Sequence, residues 1–323
     1  MKELKPNIFK WATSELSQDA FICWLLSWAD HKESNDLYET SKFLINKLTN
    51  GAIDKFEKIE IRKQSNNIDI ICIIDDTNVI LIEDKVHTKN HGGQLERYYT
   101  ILQGKYPIEN IYPVYFKTGD QSNYKNIQKI GYKVFLRNDF LEVLNFGSQK
   151  GIQNEIFNDF KNHLQGIENS VQSYLHLPVD KWHWDSWKGF YMALQEEIGD
   201  GQWDYVPQMN GGFLGFWWHW GWNKVDDTIG YNYYLQLEHS KFCFKMSPDK
   251  RENAEKTRTH FRDLLYPTAR NHQIKIHQNG RIGNSMTVAA LSEPYIKTNT
   301  ANFLDMTSTV ENIKKIQNMI DKI

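Results

Sequence analysis

NIDIICIIDDTNVILIEDKVHTKNHGGQLERY, residues 67–98, decides how the rest of the chain is read. Two runs of mostly β-branched residues, Ile68 to Ile74 and Val79 to Ile82, flank Asp75, Asp76, Thr77 and Asn78. Stiff branched side chains favour extended backbone and short polar ones tolerate a turn, so the stretch predicts a β-hairpin. Side chains alternate across a strand, which puts Asp69 on the face of Ile71 and Ile73, and Glu83 and Lys85 on the face of Val79 and Leu81. Asp84 then points to the other face. Asp69 and Glu83 stand opposite one another only if paired positions sum to an even number, which asks for a three-residue loop or a bulge and not a two-residue turn. A carboxylate in an apolar strand is costly unless it is partnered or neutralised. Two of them beside a lysine are most simply explained by a divalent cation.

Further along, His91-Gly92-Gly93 breaks the chain and Gln94 to Leu102 has helical spacing. Gln94 and Tyr98 are one turn apart and share a face with Arg97 nearby, while Leu95, Tyr99 and Leu102 form the packing side. An amide and a phenol are thereby presented to the same pocket as the strand carboxylates.

Asp69, Glu83-x-Lys85 on the next strand and Gln94-x-x-x-Tyr98 on the following helix together resemble the PD-(D/E)XK nuclease superfamily, in the branch with a Q-x-x-x-Y helix motif. The resemblance covers roughly the first half of the chain and includes a glutamate on an amino-terminal helix, here Glu15. Ile68 stands where the motif has its proline. The resemblance implies an α/β fold, a restriction-endonuclease-like mixed sheet flanked by helices, that hydrolyses phosphodiester bonds, most directly in DNA, with a Mg2+-activated water; Mn2+ would substitute. Asp69 and Glu83 would be direct ligands, with the backbone carbonyl of Asp84 a third. Lys85 would orient or deprotonate the water and offset phosphate charge, a lysine beside a cation having a lowered pKa. Gln94 and Tyr98 would contact the water or the scissile strand, and Glu15 would add an outer-sphere contact. Substrate-binding candidates are Arg97, together with Lys89 and His91 in a loop that a plain polar connection would explain equally well. The alternative is a nuclease-fold protein without turnover, acting as a nucleic-acid-binding or regulatory module. Pairing of two copies, which nucleases of this superfamily use to cut both strands, is carried over only by analogy.

The 323 residues leave room for two domains, and 40% apolar with 24% charged residues describes a globular protein. A net charge of −2 excludes a global basic field, so nucleic acid would be met through a local patch. Cys23, Cys72 and Cys243 lie in apolar stretches without metal-ligand spacing and are expected as small buried hydrophobes in a reducing cytoplasm. No stretch approaches the length of a membrane span.

Before the hairpin, Phe21, Trp24, Leu25 and Trp28 predict one buried helix and Leu37 to Leu48 a second, ending at Asn50-Gly51. Phe56 to Ile61 should be the first strand, and Ile111 to Phe116 and Val134 to Leu136 further ones. Helices from about Asp139 and Gln153 complete a nuclease-like domain over residues 1–170. A polar stretch ending HLPVD precedes an α+β domain with an antiparallel sheet, residues 180–323, expected to select substrate or partner. Eight of the eleven tryptophans fall between Trp182 and Trp222; core packing or base stacking would account for them. Asn279-Gly280 signals a hairpin, and Arg251, Lys256, Arg258 and Arg262 form a basic helical face that phosphate or solvent would meet. His183 and His219, among aromatics, are expected to be hydrogen-bonded and not ligands.

Overall fold

The structure, a computed structural model, describes residues 6–65, 67–90, 92–208 and 211–323. It divides into two compact units, one running to Asn169 and the other from Ser170 to Ile323.

In the first unit, α1 (Glu15–Ser27) and α2 (Asn35–Leu48) precede a hairpin-rich sheet. The buried face of α1 is Gln18, Phe21, Ile22, Leu25 and Leu26, an i, i+3, i+4, i+7, i+8 stripe. Trp24 and Trp28, expected on that face, are only half-buried. Apolar residues surround this helix, so its sequence admits a second stripe rotated from the true one. Asn50 and Gly51, both in the left-handed region at φ 54° and 81°, close α2 as expected.

Strand β1 (Ile59–Ser65) begins later than Phe56. The Asp75 carboxylate explains the delay: it accepts the backbone N–H groups of Glu57 and Lys58 at 3.0 and 2.9 Å and holds that segment out of the sheet. Strands β2 (Ile68–Ile74) and β3 (Asn78–Lys85) pair antiparallel from Ile74↔Asn78 to Ile70↔Ile82. Every pair sums to an even number, around a three-residue loop in which Asp75 and Asp76 adopt φ 50° and 56°. Aspartate tolerates that region better than branched residues do, which is why the turn carries it.

From β3 the chain crosses through α3 (Gln94–Gln103) to β4 (Ile111–Lys117), then through α4 (Lys125–Lys129) to β5 (Lys133–Leu136). Both connections make parallel pairs, giving a five-stranded mixed sheet in the order β1-β2-β3-β4-β5. Helices α5 (Arg137–Gln149) and α6 (Glu155–Val171) complete the unit. The strand alternation divides the core. Ile70, Cys72, Ile80 and Ile82 pack with Phe21, Leu25, Phe140 and Phe160. Ile71, Ile73, Val79 and Leu81 pack on the other face with Leu95, Tyr98 and Leu102 of α3 and Ile127 of α4. Helices therefore cover both faces of the sheet.

The second unit places α7 (Trp184–Ile198), α8 (Ala254–Asn271) and α9 (Met306–Ile320) with a six-stranded sheet. Its strands are β6 (Gln202–Val206), β7 (Phe213–Lys224), β8 (Gly230–Glu238), β9 (Lys241–Pro248), β10 (Ile276–Gln278) and β11 (Met286–Leu291), in the order β10-β11-β9-β8-β7-β6 and antiparallel throughout. Its core takes Trp182, Trp187, Trp203 and Trp218, whereas Trp184, Trp220 and Trp222 are exposed, so the tryptophans divide between packing and surface. β10 and β11 pair as expected, but residues 279–285 separate them in place of a tight Asn-Gly turn. Arg258 explains the wider loop, because its guanidinium reaches across from α8 to the carbonyls of Asn279 and Gly280, both at 3.0 Å. The expected basic face is largely spent internally: Lys256 pairs with Asp226 at 2.8 Å and Arg262 with Asp263 at 3.0 Å. His219 sits in a bulge of β7 at φ 58° and meets Asp321 at 2.8 Å, while His183 precedes α7 and meets Ser173 at 3.3 Å.

Cys72 and Cys243 are buried and Cys23 is half-buried, all three as free thiols. Among the described residues, no helix is long and apolar enough to cross a membrane.

Candidate active site

The β2–β3 ladder ends at Ile70↔Ile82, and continuing its register brings Asp69 opposite Glu83. There the Asp69 carboxylate accepts the backbone N–H of Asp84 at 2.9 Å, so a side chain takes over where the backbone pairing stops. Glu83 is fully buried. Its Oε1 accepts from Lys85 Nζ at 2.5 Å and from Gln94 Nε2 at 2.7 Å. Its Oε2 is buried without a hydrogen-bond partner among the described residues. Lys85 Nζ also donates to the Asp84 carbonyl at 3.0 Å and stands 3.7 Å from Asp69 Oδ2. Two carboxylates, one ammonium and one backbone carbonyl thus converge on the face that α3 covers.

Gln94 reaches this point because Gly92 and Gly93 take φ 55° and 68°, a conformation rarely open to residues with a Cβ, and turn the chain into α3. Its amide nitrogen lies 3.1 Å from the Tyr98 hydroxyl, one helical turn on. Tyr98 is buried in the core that Leu95 and Leu102 share, and Tyr99, half-buried, packs against that core as expected. Arg97 is exposed with its guanidinium 5.2 Å above the Tyr98 ring. Lys89 is half-buried in the connecting loop, and His91 lies outside the described residues.

Burial, then the charge of Asp69, pushes the Glu83 carboxyl up to about 7. For Lys85, burial pulls downward, but the hydrogen bond to Glu83 and the charges of Glu83, Asp69 and Glu15 outweigh it and raise the pKa. The lysine is therefore held as an ammonium. The lowered pKa expected of it belongs to a lysine beside a cation; these carboxylates by themselves push it the other way.

Glu15, the first residue of α1, is brought to the segment following Lys85. Its Oε1 accepts the Val86 N–H at 3.1 Å and the Thr88 hydroxyl at 2.6 Å. Burial raises its pKa, yet those two bonds and the charge of Lys85 leave it lowered overall. Lys117, absent from the sequence reading, holds the same segment from the other side. It is buried at the end of β4, in register with Lys85, and its Nζ donates to the carbonyls of Val86 at 3.1 Å and Thr88 at 2.6 Å. Burial pushes its pKa down to about 8. A lysine ending an apolar run at the carboxyl edge of a parallel strand was the available signal, since ligands of open α/β sheets gather at that edge.

Asp84 turns its side chain to the opposite face, as alternation requires. Its Oδ1 accepts from Gln18 Nε2 at 2.5 Å, and Gln18 in turn accepts the Thr118 hydroxyl at 2.5 Å. Asp19 is buried beside it, 3.9 Å from Lys63 Nζ. Burial, with Asp69 adding charge, pushes Asp19 up to about 6; burial together with Asp19 raises Asp84 well above the carboxylate range.

Among the described residues, no three His, Cys, Asp or Glu side chains gather as a metal cage. The convergent set is two carboxylates and a carbonyl, all oxygen, which is the donor chemistry of Mg2+ and Mn2+. Glu83 Oε2, without a hydrogen-bond partner among the described residues, and the raised Glu83 pKa fit a cation at this point.

Searches of curated proteins and of solved structures return no match. A family model for the PD-(D/E)XK nuclease superfamily matches residues 6–172. That match takes in the whole five-stranded sheet, the Asp69, Glu83 and Lys85 cluster and just over half of the sequence, and the chain therefore belongs to the PD-(D/E)XK nuclease superfamily.

Proposed function

We propose that the chain is a divalent-metal-dependent nuclease that hydrolyses phosphodiester bonds in DNA, with the first unit carrying the chemistry and the second selecting the substrate. The observation that carries this reading is the convergence of Asp69, Glu83, the Asp84 carbonyl and Lys85 Nζ at one end of the β2–β3 pair. Asp69, Glu83 and the Asp84 carbonyl would hold Mg2+ or Mn2+, which supplies an activated water and relief of phosphoryl charge.

The protein's own groups have separable tasks. Lys85, held as an ammonium, donates to the attacking water or to a non-bridging phosphate oxygen and offsets the charge gathering there. Gln94 fixes the Glu83 carboxylate through Oε1 and leaves Oε2 directed elsewhere. Tyr98 steadies the Gln94 amide. Glu15 and Lys117 both hold Val86 and Thr88, Glu15 by accepting from an N–H and a hydroxyl and Lys117 by donating to two carbonyls. Arg97, exposed on α3, faces solvent where a phosphate backbone would approach.

The test is incubation of purified protein with linear, circular and single-stranded DNA in Mg2+ or Mn2+, beside Lys85→Ala. Metal-dependent cutting abolished by the substitution supports the reading. Binding without cutting by either protein would replace it with a nucleic-acid-binding role for an inactive nuclease fold.

A further inference from the structure

We propose that Arg137 is a positioning residue for the metal-binding end of β3, acting through residues 118–120 and Gln18. The proposal rests on the reading of Asp69, Glu83 and the Asp84 carbonyl as the metal ligands. The β2–β3 ladder stops at Ile70↔Ile82. Beyond it the Asp84 N–H goes to the Asp69 carboxylate at 2.9 Å, and the Asp84 carbonyl accepts from Lys85 Nζ at 3.0 Å. The peptide groups that aim the third ligand are thus tied only to side chains of the site itself on the β2 side, and the strand end needs a hold from elsewhere.

Three contacts supply that hold. The buried Asp84 carboxyl accepts from Gln18 Nε2 at 2.5 Å, and Gln18 Oε1 accepts the Thr118 hydroxyl at 2.5 Å. Gln18 lies in the buried stripe of α1 with Phe21, Ile22 and Leu25, where an amide is costly unless it is hydrogen-bonded. Both of its ends are bonded. Thr118 also donates its backbone N–H to the Lys85 carbonyl at 3.3 Å. The next residue, Gly119, comes so close that any Cβ would collide with the Val86 carbonyl. Residues 84, 85 and 86 therefore rest in turn on the Thr118 hydroxyl through Gln18, on the Thr118 amide and on the Gly119 backbone.

Arg137, the first residue of α5, fixes that support in turn. It is buried, and all three nitrogens of its guanidinium are engaged: Nη1 donates to the Thr118 carbonyl, Nη2 meets Asp120 and Nε donates to Glu168 of α6, each at 2.7 Å. A planar fork bound on three sides has one orientation. Stability is a weak reason for such a group, because the loss of hydration offsets the attraction between buried charges and well-packed apolar residues often replace them without loss. What an apolar side chain cannot do is grip the Thr118 carbonyl and the Asp120 carboxylate together. That grip sets the segment against which the ligand-bearing end of β3 lies. Groups that support metal ligands tune affinity for the ion without touching it.

The test uses the full chain with Arg137→Lys, which keeps the charge and loses the fork, and Thr118→Val, which removes only the hydroxyl. Urea midpoints, deuterium exchange of residues 83–88 without metal, and calorimetric Mn2+ affinity are compared with the parent. Both variants are expected to exchange faster at residues 84–86 and to bind Mn2+ roughly 10–100-fold more weakly. Thr118→Ser should recover both properties. A lowered urea midpoint with Mn2+ affinity unchanged is the mark of a merely structural role and would overturn the proposal. Should Arg137→Lys fail to fold, Thr118→Val decides by the same criterion. DNA cutting by a parent whose Mn2+ affinity is indifferent to both changes removes the positioning role and leaves the nuclease reading standing. Mn2+ affinity that depends on Arg137 and Thr118 in a protein that never cuts supports the positioning role and removes the nuclease. A parent that binds no Mn2+ removes both.

Discussion

Asp69 accepts the backbone N–H of Asp84 at 2.9 Å, across the two strands whose ladder has just ended. One carboxylate therefore finishes the hairpin and faces the Glu83–Lys85 pair, so its structural and chemical parts can be separated by substitution.

Asp69→Asn keeps an acceptor oxygen and removes the charge. Thermal stability should change by no more than about 0.5 kcal/mol, the range of changes that break no packing or network. Mn2+ affinity should fall by at least the roughly 10–100-fold seen when groups supporting a metal ligand are altered. Calorimetric titration beside a denaturation curve measures both, and unchanged affinity would remove Asp69 from the ligand set.

Gln94→Leu takes a donor from buried Glu83 and leaves Oε1 with Lys85 alone. A cost of about 1–3 kcal/mol in stability follows from an under-partnered buried carboxylate. Cleavage should drop roughly 10–100-fold. Tyr98→Phe, which removes only the hydroxyl next to the Gln94 amide, should be milder in both assays.

Glu15→Ala releases the Val86 N–H and the Thr88 hydroxyl together. Glu15→Gln retains an acceptor at the same reach. If Glu15 acts by holding residues 86–88, the glutamine variant should recover most of the stability lost by the alanine variant; equal losses in the two would point to the charge instead. Urea midpoints distinguish the cases.

Lys117 supplies a pH dependence with a definite sign. Burial lowers its pKa in the folded chain from 10.5 to about 8. Between those values the unfolded chain binds the proton and the folded chain has released it, so stability rises with pH across that window. Below about 8 the fold carries a buried ammonium. Measured against Lys117→Met, the parent should gain stability steadily from pH 8 to about 10. A flat or falling difference would mean that the two carbonyls hold the ammonium more firmly than burial disfavours it.

The hairpin was legible because its chemistry is local. Branched residues, a polar turn and the even-sum condition lie within one short stretch, and the observed loop of Asp75 to Thr77 meets that condition. The same holds for Gly92-Gly93 and the helix behind them. Contacts arriving from distant sequence were not legible. Lys117 approaches Val86 only because β4 lies parallel to β3, and Gln18 meets Asp84 only because α1 crosses the opposite face. Asp75 delays β1 by capping backbone some seventeen residues upstream, and Arg258 opens the 279–285 loop from another helix. In α1 apolar residues on several sides left two stripes to choose from, and packing chose the one without Trp24.

Plasmid cleavage in Mg2+, compared with EDTA and with Lys85→Ala, addresses the Asp69–Glu83–Lys85 cluster most directly. The expected result is cutting by the parent protein that requires the metal and falls at least roughly 100-fold in the variant, the scale on which removing one charge-stabilising donor acts. Metal-independent cutting, or cutting of equal rate by Lys85→Ala, would contradict the assignment of this cluster as the catalytic centre.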